Sequence, residues 1–216
     1  MADLGTLTAR INDELAIPAI AARIPNAIQA AIRFYESERF WFTEGESTAS
    51  TVASQQAYAM PTDFLEADYL TVTRSDIRYT LKRRPWSWLR RQDIDGNLET
   101  LPKNWSYYAD QMWLYPIPDK VYTLTVSYLK RLAAISAFAD TNDWMTHGEE
   151  LIRERAKYDL VSQGPARDLE MAAVLKVRVD DAFDNLRGKS EQKIATGLLS
   201  FDPGLVGRGV YNINYD

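Results

Sequence analysis

Reactive chemistry needs particular side chains at particular spacings, and this chain offers few of them. It holds no Cys and a single His, His147. That removes disulfides, thiolate nucleophiles and thiolate-bound zinc, and a zinc site would need three carboxylates. A Ser–His–Asp arrangement would depend on that one ring. His147 stands between Thr146 and Glu149, the spacing of a capping box, where a first-turn polar residue needs no further role. The adjacent acids Glu149/Glu150 and Asp180/Asp181 point to different sides of a helix. A hydrolase would have to bring carboxylates together from distant segments, with Glu149, Glu154 and Asp159 the residues to test. Gly204 to Gly209, GLVGRG, has glycines but neither the Lys-Ser/Thr nor the following helix of a phosphate cradle. Asp93-Ile94-Asp95-Gly96-Asn97 starts like a calcium loop, but the position of the closing glutamate is Pro102, so a plain turn is expected. The expectation is no catalytic residue, no cofactor and no metal.

One charged cluster stands out. Lys82-Arg83-Arg84 and Arg90-Arg91 bracket Pro85-Trp86-Ser87-Trp88-Leu89, with Pro85 suited to open a short helical turn. Arg83, Arg84, Trp86, Trp88, Arg90 and Arg91 are candidates for contact with DNA phosphates or with a tail protein, Arg stacking on Trp. The other reading is a solvated face whose Arg stems cover the two indoles. The net charge of −5 argues against a general nucleic-acid coat. Nothing at the N-terminus has the pattern of a signal peptide. No apolar run approaches the roughly 20 residues that span a bilayer. Six Trp and twelve Tyr, most of them between 34 and 144, suit a β-rich core or protein contacts.

The elements that would position these residues follow in order. A Thr-capped helix is expected over 6–15, broken by Ile17-Pro18. A second, half-buried helix should start at Pro25 and run to about Trp41, with Ile24, Ile28, Ala31, Ile32, Tyr35 and Phe42 on one stripe. Residues 43–56 are small, polar and without a period, and read as a linker. The period then changes to two. Strands are expected over 58–64, 69–73, 78–82, 105–109, 112–115 and 121–129, with turns at Ser75-Asp76 and Asp110-Gln111. Pro116 and Pro118 end a strand. The short links predict an antiparallel sheet. Thr146 and Glu149 predict a helix over 147–163, ended by Gly164-Pro165. That helix has two apolar rows: Ile152, Ala156 and Leu160, and Leu151, Tyr158 and Val161. Arg155 and Asp159 lie between the rows at i,i+4 spacing. A helix apolar on both sides of a charged pair should pack on two neighbours, one of them a second subunit, so Arg155, Tyr158 and Asp159 are candidate subunit contacts. A helix over 168–187 completes a hairpin.

The expected fold class is α+β. A small helical bundle, made of the N-terminal helices and the C-terminal hairpin, carries an inserted antiparallel β-sheet domain and an extended C-terminal arm. The divisions are 1–56, 57–131, 132–187 and 188–216. In the arm, Phe201, Leu205, Val210, Tyr211, Ile213 and Tyr215 are scattered apolar residues that suit strand addition or groove binding on a partner.

This order of pieces resembles the head–tail adaptor (connector) proteins of tailed bacteriophages, over about residues 7–187. INDEL followed by IPNAIQAAIRFYE resembles the opening helices. Tyr58-Ala59-Met60-Pro61-Thr62-Asp63-Phe64 is similar to a Tyr-x-x-Pro-x-Asp-Phe/Leu signature. Trp113-Leu114-Tyr115-Pro116-Ile117-Pro118 is similar to an aromatic hairpin ending in Pro-x-Pro. The strand Tyr122 to Tyr128 and the segment Asn142-Asp143-Trp144-Met145 follow. The resemblance implies a structural virion protein without enzymatic activity. It would form a ring, usually of twelve copies, beneath the portal protein. The ring would extend the channel through which DNA slides without specific binding, and present a surface to tail or nozzle proteins, with no membrane partner. The resemblance places the protein at the head–tail interface of the virion, made in the host cytoplasm. The arm would order on the portal, and the two-sided helix would suit ring contacts.

Overall fold

Asp3 starts the first helix, α1 (Leu4–Leu15). Its carboxylate accepts from the Thr6 amide at 2.7 Å, and the Thr6 hydroxyl accepts from the Asp3 amide at 2.9 Å. The cap is therefore Asp3, with Thr6 closing the reciprocal pair rather than opening the helix. Leu4, Leu7, Ile11 and Leu15 form the buried stripe. The computed structural model describes residues 3–92, 98–163 and 167–199, with side chains as far as 193.

Pro18–Arg23 makes a 3-10 turn, and α2 (Ile24–Tyr35) follows with Pro25 in its first turn. Ile24, Ile28, Ala31 and Tyr35 are buried. The helix stops six residues before the expected end. Phe40 and Phe42 stay in the core by a different route: the Thr43 hydroxyl accepts from the Phe40 amide and donates to its carbonyl, closing a tight turn. The two rings stack at 5.5 Å, and Phe40 meets Trp144 edge-on at 5.6 Å.

The C-terminal helices also depart from expectation. Asn142, not Thr146, is the cap: its side-chain oxygen accepts from the Trp144 and Met145 amides, which starts α4 (Asp143–His147). The Thr146/Glu149 box does not form, because Thr146 already lies inside α4 and donates to the Asn142 carbonyl at 3.4 Å. Gly148 separates α4 from α5 (Glu149–Ser162). A Cβ there would lie 2.8 Å from the Trp144 ring, so the buried indole requires glycine. The Gly164-Pro165 stop lies outside the described residues. α6 (Leu169–Leu199) is capped by Asp168, which accepts from the Glu170 and Met171 amides. It runs past Arg187, so 188–199 is helix and not arm. Ser190 explains the extension: it is buried and accepts from the Trp41 amide at 3.1 Å, while the Lys193 ammonium sits 3.9 Å from the Trp41 ring centre. These contacts override the weak propensity of Gly188. The arm residues Phe201, Leu205, Val210, Tyr211, Ile213 and Tyr215 lie outside the described residues.

Between α2 and α4 the described residues form seven strands: β1 (Glu44–Ser50), β2 (Ala57–Ala59), β3 (Phe64–Arg74), β4 (Ile77–Arg83), β5 (Asn104–Tyr108), β6 (Gln111–Tyr115) and β7 (Thr123–Lys130). Their order is β1-β7-β3-β4-β5-β6-β2. The expected linker is thus mostly strand. β1 pairs with β7 along its whole length, from Glu44 opposite Leu129 to Ser50 opposite Thr123. The sheet is mixed rather than antiparallel, because β4 and β5 run parallel through Lys82↔Asn104 and Arg83↔Trp105. The stretch between Arg83 and Asn104 is long enough for a crossover and carries the short helix α3 (Trp86–Gln92). The tight turns have both central residues at positive φ: Ser75 and Asp76 at 48° and 64°, Ala109 and Asp110 at 52° and 57°. These are I′-type hairpins, and the second lies one residue before its expected place. The turn expected at 93–97 lies outside the described residues.

Two apolar cores result. One joins α1, α2, α4, α5 and α6 with Phe40, Phe42 and Ile135. The other lies inside the curled sheet, around Leu70, Val72, Trp105, Leu114, Leu124 and Val126. Arg39–Asp68 and Glu36–Arg131 ion pairs link the end of α2 to the sheet.

Candidate functional site

Two surfaces gather the residues singled out from sequence. The first is built on the β5–β6 hairpin. Alternation sends Trp105, Met112 and Leu114 into the sheet core and leaves Ser106, Tyr108 and Trp113 on the other face. α3 covers that face. Leu89 anchors it as the one buried residue of the helix. Trp86 stacks flat on Tyr108, with centroids 4.6 Å apart and planes 4° apart, and meets Trp113 at 4.8 Å. Trp88 contacts Tyr115 edge-on at 5.8 Å. The backbone of Arg84 is clamped to β5: its amide donates to the Trp105 carbonyl and its own carbonyl accepts from the Ser106 hydroxyl at 2.7 Å.

On this aromatic base the guanidinium of Arg84 lies 5.1 Å from the Trp88 ring, that of Arg90 5.9 Å from Trp86, and that of Arg83 5.5 Å from Trp105. Arg84 Nε also donates to the Asn104 side chain, and Arg91 Nε to the Ser87 carbonyl. All four arginines and Lys82 are exposed. Among the described residues, none of these five cations is ion-paired with a carboxylate. The contacts thus gather Arg84, Trp86, Trp88, Arg90 and Arg91 around α3, while Arg83 lies at the edge of this platform, over the Trp105 ring that belongs to the sheet core.

The second surface lies on the bundle. α5 buries Leu151, Ile152, Ala156, Leu160 and Val161. Arg155 and Asp159 pair at 3.2 Å. The Arg155 guanidinium sits 3.7 Å from the Phe34 ring centre and 5.6 Å from that of Tyr158. Phe34, Arg155 and Tyr158 edge a groove of about 360 Å³ between α2, α5 and α6, with Tyr35 and Phe183 in its wall. Phe34, 56% exposed, belongs to this surface and was not singled out from sequence. Its signal was an aromatic ring beside Arg33 and off the buried stripe of α2.

A charged network, also missed, joins α1 to α5. Lys157 Nζ lies 2.6 Å from Glu154 Oε1 and 2.7 Å from Glu14 Oε2. Arg153 contacts Glu14, Glu149 and Glu154, and Arg10 contacts Glu149. Lys157 and Glu154 are buried, and Glu154 Oε2 has no partner among the described residues. Burial pushes the Glu14 carboxyl up, but the Lys157 ammonium, Arg153 and Arg10 outweigh it and hold Glu14 below its ordinary range. The three carboxylates singled out for a hydrolase test are each ion-paired: Glu149 with Arg10 and Arg153, Glu154 with Lys157 and Arg153, Asp159 with Arg155. His147 packs between Trp41 and Phe42, with centroids 5.3 and 5.5 Å away. Among the described residues, no group of three His, Asp or Glu could hold a metal ion, and no helix is long and apolar enough to cross a membrane.

None of the curated proteins matches the chain. A family model described as SU10 adaptor protein matches residues 2–195, from the start of the bundle through the whole sheet and into the last turns of α6. The resemblance seen in the motifs is borne out: this chain belongs to the SU10 adaptor family, structural proteins of the phage head–tail junction.

Proposed function

We propose that the protein forms a ring of twelve copies beneath the portal protein, extends the DNA channel and offers the surface on which tail or nozzle proteins attach. The observation that carries this reading is the family match across both cores. Geometry supports a division of labour. The bundle, made of α1, α2 and α4 to α6, holds the ring together through the groove at Arg155, Tyr158 and Phe34 and the neighbouring Asp159. The sheet, 57–131 with β1 added, projects from it. The segment carrying Phe201, Leu205, Val210, Tyr211, Ile213 and Tyr215 docks on the portal. The protein acts as a structural part of the virion, made in the host cytoplasm, with no membrane partner and no enzymatic step of its own.

Two variants test this against the portal ring of the same virus by co-sedimentation. Removing 201–216 abolishes portal binding while the circular dichroism of the fold is unchanged. Arg155→Ala with Tyr158→Ala leaves portal binding weak and non-cooperative, because neighbouring copies no longer support one another. Full, cooperative binding by both variants contradicts the proposal.

A further inference from the structure

We propose that the α3 platform is a binding site for the phosphate backbone of double-stranded nucleic acid, sequence-independent and weak in a single copy. The inference rests on the head–tail reading only for where the DNA is met; binding itself is a property of the isolated chain.

The contrast in charge pairing is the first ground. Elsewhere Arg10, Arg39, Arg131, Arg153, Arg155 and Arg187 face carboxylates. Arg23, Arg33, Arg74, Arg78 and Arg178 have no ion pair among the described residues but are scattered over the surface, whereas the platform gathers its arginines within nine residues of chain. On the platform Arg83, Arg84 and Arg90 lie over rings and Arg91 donates to a backbone carbonyl, with no ion pair among the described residues. A guanidinium over an indole keeps its full charge and loses little further freedom on binding, which favours recognition of an external anion. Counted against Asp93 and Asp95, the only acids from 82 to 95, five cations remain against two carboxylates.

The second ground is spacing. α3 is 7 residues long, or roughly 10 Å at 1.5 Å per residue, with Arg83 and Arg84 before it and Arg90 and Arg91 in its last turn. A duplex presents one charge per about 1.7 Å of axis, so a patch of this length faces several phosphates at once. Arg and Trp are also enriched at protein interfaces, so a protein contact is the rival occupant that the test below separates; the gathering of cations at both ends of one short helix favours a polyanion. No base-reading element accompanies the arginines: α3 is short, and its aromatic side chains are spent on Tyr108, Trp113 and Tyr115. Contact with backbone alone is sequence-independent. An otherwise acidic molecule repels the rest of the duplex, which keeps the contact weak enough for DNA to slide.

The test uses the full chain and a fluorescein-labelled 20-base-pair duplex, read by anisotropy from 25 to 200 mM salt. The expected affinity at low salt is about 10⁻⁵ M, with a log–log salt slope near −3, from about 0.9 per phosphate neutralised. Arg83→Gln, Arg84→Gln, Arg90→Gln and Arg91→Gln together reduce the slope to below about 1 in magnitude and the affinity at least tenfold. A control with the same charge removed at exposed arginines with no ion pair among the described residues (Arg23→Gln, Arg33→Gln, Arg74→Gln and Arg178→Gln) keeps the slope. A second duplex of unrelated sequence binds within twofold. Absence of binding at 10⁻⁴ M, or equal losses in the platform and control variants, overturns the proposal. So does a platform variant that binds duplex normally but no longer joins other copies or the portal, which would make the patch a protein contact. A variant that joins the portal normally yet loses duplex binding upholds the site; failure of the wild type to join the portal bears on the adaptor reading alone.

Discussion

In the bundle, Arg10, Arg153 and Arg155 lie 2.9, 3.2 and 3.2 Å from carboxylates on the same or a neighbouring helix. At the sheet, Arg83, Arg84 and Arg90 lie over indoles with no carboxylate against them among the described residues. The cores differ in the same sense. Aliphatic stripes and the Phe40–Phe42–Trp144 cluster fill the bundle, and its buried polar network is closed between α1 and α5. The sheet core ends in tyrosines whose hydroxyls donate to rim carboxylates, Tyr122 to Asp119 and Tyr128 to Asp63. The cations between α1 and α5 are thus spent on internal pairs, while those beside α3 have no such pair among the described residues. A charge deleted from the bundle should therefore cost folding, and one deleted from the platform should cost only binding.

The largest effect is expected at Lys157. Lys157→Met leaves buried Glu154 and its neighbour Glu14 without the shared ammonium, and should cost about 3–5 kcal/mol in urea unfolding, the usual penalty for stripping one partner from a buried pair. Adding Glu154→Leu should recover most of it, since an apolar replacement removes the buried charge that the first change exposes. No recovery would mean that the network fixes the α1–α5 geometry rather than merely neutralising itself.

Alkaline pH should single out the sheet. Burial first, and then the hydrogen bond each donates to a carboxylate, raises Tyr122 and Tyr128 to about 12 from an ordinary 10.0. The folded state favours the neutral phenols. Their contribution is thus complete below pH 10 and is lost as pH rises from 10 through 12. Tryptophan fluorescence and circular dichroism should show unfolding steepening across that window, and Tyr128→Phe should make it shallower. At the platform, Trp86→Ala removes the stack on Tyr108 and should cost about 1 kcal/mol, with the quadruple arginine variant unfolding within about 0.5 kcal/mol of wild type. The smallest effect is a gain. Ala109 is held at φ 52° in the β5–β6 turn, where a Cβ is strained, so Ala109→Gly should raise stability by about 1 kcal/mol.

Much of this architecture could be read in the residues because apolar periodicity reports burial directly. The α2 stripe from Ile24 to Tyr35 and the α5 row Ile152, Ala156 and Leu160 are buried where their spacing puts them, whereas β7 is buried on both faces from Leu124 to Leu129 because it is a central strand, between β1 and β3. β1 was illegible because Glu44–Ser50 is small and polar on both faces; its strand is set by pairing with β7, which no local pattern announces. The parallel β4–β5 pair was hidden for a related reason: the crossover through α3 is a property of the whole link and not of either strand. Thr146 and Glu149 have the spacing of a cap, yet Asn142 accepts both amides four residues earlier, and the buried Trp144 decides the competition. The platform was visible as a cluster, but not its aromatic floor, because Tyr108 and Trp113 come from a hairpin about twenty residues downstream. Nothing in the local pattern marks Lys157 and Glu154 as buried, since the burial comes from neighbouring helices and the partner Glu14 from α1.

The central claim, a structural adaptor that assembles on the portal, is tested most directly by native mass. The protein is weighed alone and after mixing with the portal ring of the same virus. The account predicts that the mixture gains a defined multiple of the 24.6 kDa chain, twelve copies per portal ring, with few intermediate species. A portal ring that gains no mass at any protein concentration would contradict it.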